Sequence, residues 1–108
     1  PDAPGLVCSV FAVGSEVVAD AVMELGLVGK IRVIASDLFP ENVIAMRRGI
    51  FTNIVYKDPI ALAYRGARML GEYLLRGEAP SVSVLRGGAD LVFRGNLDQY
   101  CRLAGVEV

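Results

Sequence analysis

Three short apolar runs, each followed by a turn-forming residue and then a segment of helical periodicity, constrain this chain more than any other feature. Leu6 to Val13 (LVCSVFAV), Ile31 to Ala35 (IRVIA) and Phe51 to Tyr56 (FTNIVY) are rich in β-branched and aromatic residues. Runs of this length, bounded by turn residues, read as buried strands. Gly14-Ser15, Ser36-Asp37 and Lys57-Asp58-Pro59 follow them. Parallel neighbours need a long crossover, and that crossover is nearly always right-handed. Strand, helix, strand, helix, strand, helix therefore predicts an α/β fold: a mainly parallel sheet flanked by helices.

Ser15 reads as the N-cap of the first helix, with Glu16 in its first turn. Val18, Ala21, Val22 and Leu25 fall on one face, Glu16, Asp20 and Glu24 form an acidic stripe, and Gly26 suits the C′ position. Pro40 opens a short second helix, with Glu41 early, Arg47-Arg48 late and Gly49 as terminator. Asp58 reads as the cap of the longest helix, which starts at Pro59, runs to about Arg76 and stops at Gly77. After Pro80, Val82 to Leu85 reads as a strand, Gly87-Gly88 as a tight hairpin turn and Leu91 to Phe93 as the return strand. Asn96 is expected to cap a last helix, Leu97 to Leu103, ended by Gly105.

The long helix carries more apolar surface than one core needs. At about 100° per residue, Arg65, Arg68, Glu72 and Arg76 occupy a narrow sector. Ile60, Ala63, Tyr64, Ala67, Leu70 and Leu74 form a broad face, which Leu62, Gly66, Met69 and Tyr73 extend. That arc is about twice the minimum for a helix on a single core. A second surface is expected against it: another lobe, a partner subunit or the chain's own C-terminal tail.

The 108 residues suit one domain or one lobe of a larger one, and 54% of them are hydrophobic. A formal net charge of -1 gives no electrostatic footprint for nucleic acid. No apolar run approaches the roughly 18 residues of a membrane helix. The opening Pro1-Asp2-Ala3-Pro4-Gly5 lacks the basic start and apolar stretch of a signal peptide. The chain has no His, which excludes His-dependent triads, and only two Cys, which argues against structural zinc. Cys8 reads as a small core residue. Neither G-x-G-x-x-G nor a P-loop occurs, so a nucleotide fingerprint is missing. No metal and no cofactor are expected.

Ligands of open parallel sheets bind beyond the carboxyl ends of the strands. That rule puts Gly14-Ser15, Asp37 and Lys57 on one rim. Asp37 could accept hydrogen bonds from two sugar hydroxyls, or serve as a turn and capping residue before Pro40. Lys57 could donate to a hydroxyl or an anionic group, or be a solvated surface cation. Gly14-Ser15 offers backbone N–H groups at a helix start, and capping explains it equally well. No two carboxylates are juxtaposed by spacing, so binding is favoured over catalysis and no catalytic residue is assigned.

The ordered phrases Phe11-Ala12, Ala21 to Gly26, Ile31 to Asp37, Arg48 to Pro59 and Leu91 to Leu97 carry a resemblance. Together they resemble the C-terminal lobe of LacI-type transcription regulators and of the related type I periplasmic sugar-binding proteins. The resemblance implies two α/β lobes with a ligand clamped between them. Residues 1–108 are then the C-terminal part of a ligand-binding domain. Residues 6–58 form its C-terminal lobe, the long helix in 59–80 packs on the other lobe, and 81–108 form a hairpin and tail. It implies that Asp37 binds ligand hydroxyls and that position 57 faces the cleft. The family commonly has Gln where Lys57 stands and often Asn-Asp where Gly14-Ser15 stands, so a ligand carrying a carboxylate or phosphate is suggested. The function implied is sensing of a sugar-like effector, not enzymatic. The protein would be a cytoplasmic, homodimeric regulator that touches DNA only through a helix-turn-helix domain absent from this chain. A sugar importer's binding component is the alternative, and a small flavodoxin-like enzyme the weaker third.

Overall fold

β1 (Leu6–Cys8), β2 (Arg32–Ser36) and β3 (Asn53–Tyr56) run parallel, and β4 (Asp90–Val92) is antiparallel to β3, in a sheet of order β1-β2-β3-β4. α1 (Ala12–Glu24) and α2 (Pro40–Arg47) are the crossovers between the parallel strands. α3 (Pro59–Arg76) lies between β3 and β4, and α4 (Leu97–Ala104) follows β4. The computed structural model describes residues 4–107. Pro1-Asp2-Ala3 of the opening segment and Val108 lie outside the described residues. The chain divides into two units, one formed by the residues up to Tyr56 together with those from Asp90, the other by Lys57–Ala89.

In the first unit the strand order never reverses. Two right-handed crossovers stepping the same way across a sheet leave both helices on one face. Burial follows that rule. Val33, Ala35, Ile54 and Val92 are fully buried on one face, with Tyr56 nearly so. Ala19 and Val22 of α1, Val43, Ala45 and Met46 of α2, and Leu97 and Cys101 of α4 join the same core. Tyr100 meets Tyr56 edge-on at 5.7 Å between ring centres. On the other face Leu6, Cys8, Arg32 and Leu91 are exposed.

That one-sidedness corrects the reading of Cys8 as a core residue. Cys8 sits on the edge strand with its side chain on the face that no helix of this unit covers, and it is an exposed free thiol. Cys101 is free and buried.

β1 is also far shorter than the apolar run predicts. Pairing with β2 ends when Ser9 N–H donates to the Ile34 carbonyl at 2.8 Å, and the chain then enters α1 at Ala12. α1 therefore starts ahead of Ser15 and not after it. The buried line of the helix is Ser15, Ala19 and Val22, so Ala21 and Leu25 face outward.

The expected hairpin is replaced by another pairing. Residues 77–89 contain no strand, and β4 pairs with β3 through Ile54↔Val92, Val55↔Leu91 and Tyr56↔Asp90. Gly87 serves close approach, because a Cβ there would overlap the side chain of Leu62. Asn96 occupies the N-cap position of α4 as expected, but its side chain makes no capping bond: its Oδ1 accepts from Phe93 N–H at 2.7 Å and its Nδ2 donates to the Leu91 carbonyl at 3.2 Å.

The second unit is built on α3. Asp58 caps it as expected, its carboxylate accepting from Ile60 N–H and Ala61 N–H at 3.0 Å each. Gly77 ends it at φ 69, a left-handed value that suits glycine. The helix contains no buried residue, and Ile60, Leu62, Tyr64, Leu70, Tyr73, Leu74 and Leu75 are all exposed.

Candidate functional site

The carboxyl ends of β1 and β2 and the starts of α1 and α2 meet at one rim of the first unit, because each crossover helix begins where its strand stops. Buried polar side chains tie this rim together. Ser15 Oγ accepts from Ser36 N–H at 3.0 Å and lies 3.2 Å from the Phe11 carbonyl, to which it can donate. Ser36 Oγ donates to the Ser9 carbonyl at 2.7 Å. Asn42 Nδ2 donates to the carbonyls of Ser36 at 3.0 Å and Asp37 at 2.9 Å. Ser9, Ser15, Ser36 and Asn42 are all buried, so these bonds form away from competing water.

Asp37 stands directly above this network. Its N–H donates to the Val55 carbonyl at 2.9 Å, which continues the β2–β3 ladder by one residue. Its φ of 67 makes it the only non-glycine residue with a left-handed backbone among the described residues. Aspartate tolerates that region better than most side chains, yet it remains uncommon there. Asp37 is half-buried.

Gly14 and Ser15 lie within α1. The Ser15 side chain has zero exposure, and its hydroxyl is engaged by Ser36 and Phe11. Gly14 lies under the ring of Phe11, and a Cβ there would come within 2.7 Å of it. Lys57, half-buried, follows Tyr56 in the chain and is the first residue of the second unit. The structure thus joins Ser15 to the Asp37 turn within one unit, and Lys57 belongs to the other.

Three rim residues were not legible as site candidates. Phe11 and Phe39 are the N-cap residues of α1 and α2, without side-chain capping bonds, and are 60% and 52% exposed. An aromatic side chain left in water at a helix start is the signal that could have marked them. Asn42 carries no such local mark. Beside Phe39, a groove of about 230 Å³ is lined by Ala12, Val13, Glu16, Phe39, Glu41 and Asn42. Its apolar walls with carboxylates at the margin suit a polyhydroxylated ring, which has apolar C–H faces and hydroxyl donors at its edge. A larger hollow of about 600 Å³ lies at the far end of α2, lined by the exposed Arg47–Asp98 pair and by Arg102 and Glu107. Among the described residues, no group of His, Cys, Asp and Glu could hold a metal ion.

Solved structures share this architecture. The myo-inositol binding protein of Caulobacter, bound to myo-inositol, superposes with a TM-score of 0.77 at 22% identity, over 96% of this chain and 34% of that one. This is the arrangement of one portion of a type I periplasmic-binding-protein domain. An Agrobacterium radiobacter carbohydrate transporter solute binding protein in complex with D-arabinose shares the type I fold at a TM-score of 0.73 and 22% identity, covering 94% of this chain and 33% of that one. A Bacteroides fragilis protein assigned as a LacI transcriptional regulator shares it at 0.72 and 15% identity, covering 88% and 31%. The chain spans about a third of the length of each. The sequence matches no family model and no curated relative.

Proposed function

We propose that this chain is the C-terminal part of the sugar-sensing domain of a LacI-type transcription regulator, and that it binds its effector without chemical conversion. The observation that carries the reading is Asp37, held in a left-handed turn at the carboxyl end of β2, the rim on which α1 and α2 begin at the exposed Phe11 and Phe39. A carboxylate so placed accepts from adjacent hydroxyls, and Phe11 and Phe39 offer faces to the C–H side of a sugar ring. D-arabinose and myo-inositol bound in two structures of the same fold, and the shared fold of a regulator, support the class of ligand.

In this reading Asp37 and Lys57 are ligand contacts of the complete two-lobed domain. Gly14 and Ser15 shape the rim. Lys57 favours a sugar acid or sugar phosphate over a neutral polyol. α3 packs its apolar faces on the other lobe. The regulator is cytoplasmic and dimeric, and contacts DNA through residues outside this chain. Ligand-driven closure then shifts the population of the DNA-binding form.

A thermal-shift screen against sugars, sugar acids and sugar phosphates tests this. An effector at about a hundred times its dissociation constant should stabilise the protein by about 2.7 kcal/mol. Asp37→Ala should abolish the shift, and Lys57→Gln should weaken anionic ligands more than neutral ones. Stabilisation by no member of the panel, or an undiminished shift in Asp37→Ala, would refute the assignment. The second reading, a sugar importer's binding component, is favoured by the carbohydrate transporter solute binding protein that shares the fold at 22% identity. Specific DNA binding that responds to the stabilising sugar would exclude it.

A further inference from the structure

We infer that Asn42 is the positioning residue of the rim, holding Asp37 in its left-handed conformation; the inference rests on the sugar-binding reading only for its functional meaning. Asn42 is the third residue of α2 and 2% exposed. Its single amide nitrogen donates to two consecutive carbonyls, Ser36 at 3.0 Å and Asp37 at 2.9 Å. Those two carbonyls belong to the residues where β2 leaves the sheet, and the chain reverses there through φ 67 at Asp37.

A residue in that region needs its surroundings to over-determine it. The Val55 carbonyl fixes the N–H side of Asp37 and Asn42 fixes its carbonyl side. With both ends of the residue held, the direction in which its Cβ leaves the backbone is set. Few side chains could replace this one. Aspartate has the same shape but no donor for two carbonyls, and leucine has no polar group. Ser15 belongs to the same buried network, yet it engages Ser36 and Phe11 and makes no bond to Asp37. Its role is to tie α1 to β2.

Nuclear magnetic resonance on the chain separates these roles without any ligand. A positive φ brings the amide and α protons of one residue close, giving a strong intraresidue Overhauser effect. Asn42→Ala should lose that signal at Asp37, and Ser15→Ala should keep it. Retention in Asn42→Ala, or equal loss in both variants, would overturn the inference. Should Asn42→Ala fail to fold, the unaltered chain still decides. The Asn42 side-chain amide protons must exchange with water more slowly than those of Asn96, whose acceptor lies on the exposed surface; equal rates would sink the proposal. With D-arabinose and myo-inositol as probes, absence of binding counts against the sugar-binding reading, and the Asp37 signals still decide the role of Asn42.

Discussion

Asp37 carries a backbone conformation that costs an L-residue about 1–2 kcal/mol, and the hydrogen bonds to Val55 and Asn42 offset it. Such strain is maintained where geometry serves a site. Asp58 shows the contrast: an extended backbone and a capping bond that local sequence signals predict without any tertiary partner. The two thiols differ in the same way. Burial is the main reason the Cys101 thiol is pushed above its ordinary range, so little thiolate is present at neutral pH. Cys8 is exposed. Alkylation at neutral pH should therefore label Cys8 and spare Cys101 until the chain unfolds, as peptide mass mapping would read. Equal labelling of both in the folded chain would contradict the packing of α4.

At the scale of elements, α3 differs from the rest. β2 and β3 are stabilised by ladder partners on both sides and by a packed face. α3 relies on its Asp58 cap, its Gly77 stop and the Arg68–Glu72 pair at 2.9 Å. That pair is exposed, and the hydrogen bond to Glu72 is the first reason the Arg68 guanidinium holds its proton more tightly. Local terms of this kind leave a helix marginal, because most helix stability comes from a covered apolar face. Amide protons of α3 should exchange much faster than those of β2 and β3 in this chain. Asp58→Ala should lower the opening free energy of α3 by about 1 kcal/mol with little effect on the sheet. Protection in α3 equal to that of β2 would mean that its apolar face is already covered.

At the scale of the molecule, the first unit is assembled from both ends of the chain, since β4 and α4 join a core built from β1 to β3. The segment 77–89 has no regular structure and is exposed throughout. Exposed irregular segments are where proteases cut first. Trypsin should cleave early at Arg86, and the two pieces should stay together on native gel filtration, held by the β3–β4 ladder and by α4. Separation of the pieces without denaturant would mean that the β4 pairing contributes little.

Sequence alone sufficed for features whose causes are local. The α/β order, the Pro40 and Pro59 helix starts, the Asp58 cap and the glycine stops at 26, 49, 77 and 105 all follow from short-range periodicity and backbone preference. Tertiary structure decided what depends on distant partners. Ser15 looked like a cap and is a buried tie to Ser36, 21 residues away. Leu91 looked like the return arm of a hairpin and pairs with Val55 of β3. Cys8 looked like core and is exposed because the strand order leaves one face of the sheet without a helix of its own unit. Asn42 gave no local sign, since its meaning is two carbonyls brought within reach only when β2 and α2 are in place. A short apolar run reports that it will be covered, but which side is covered, and by what, is settled only when the strands choose their neighbours.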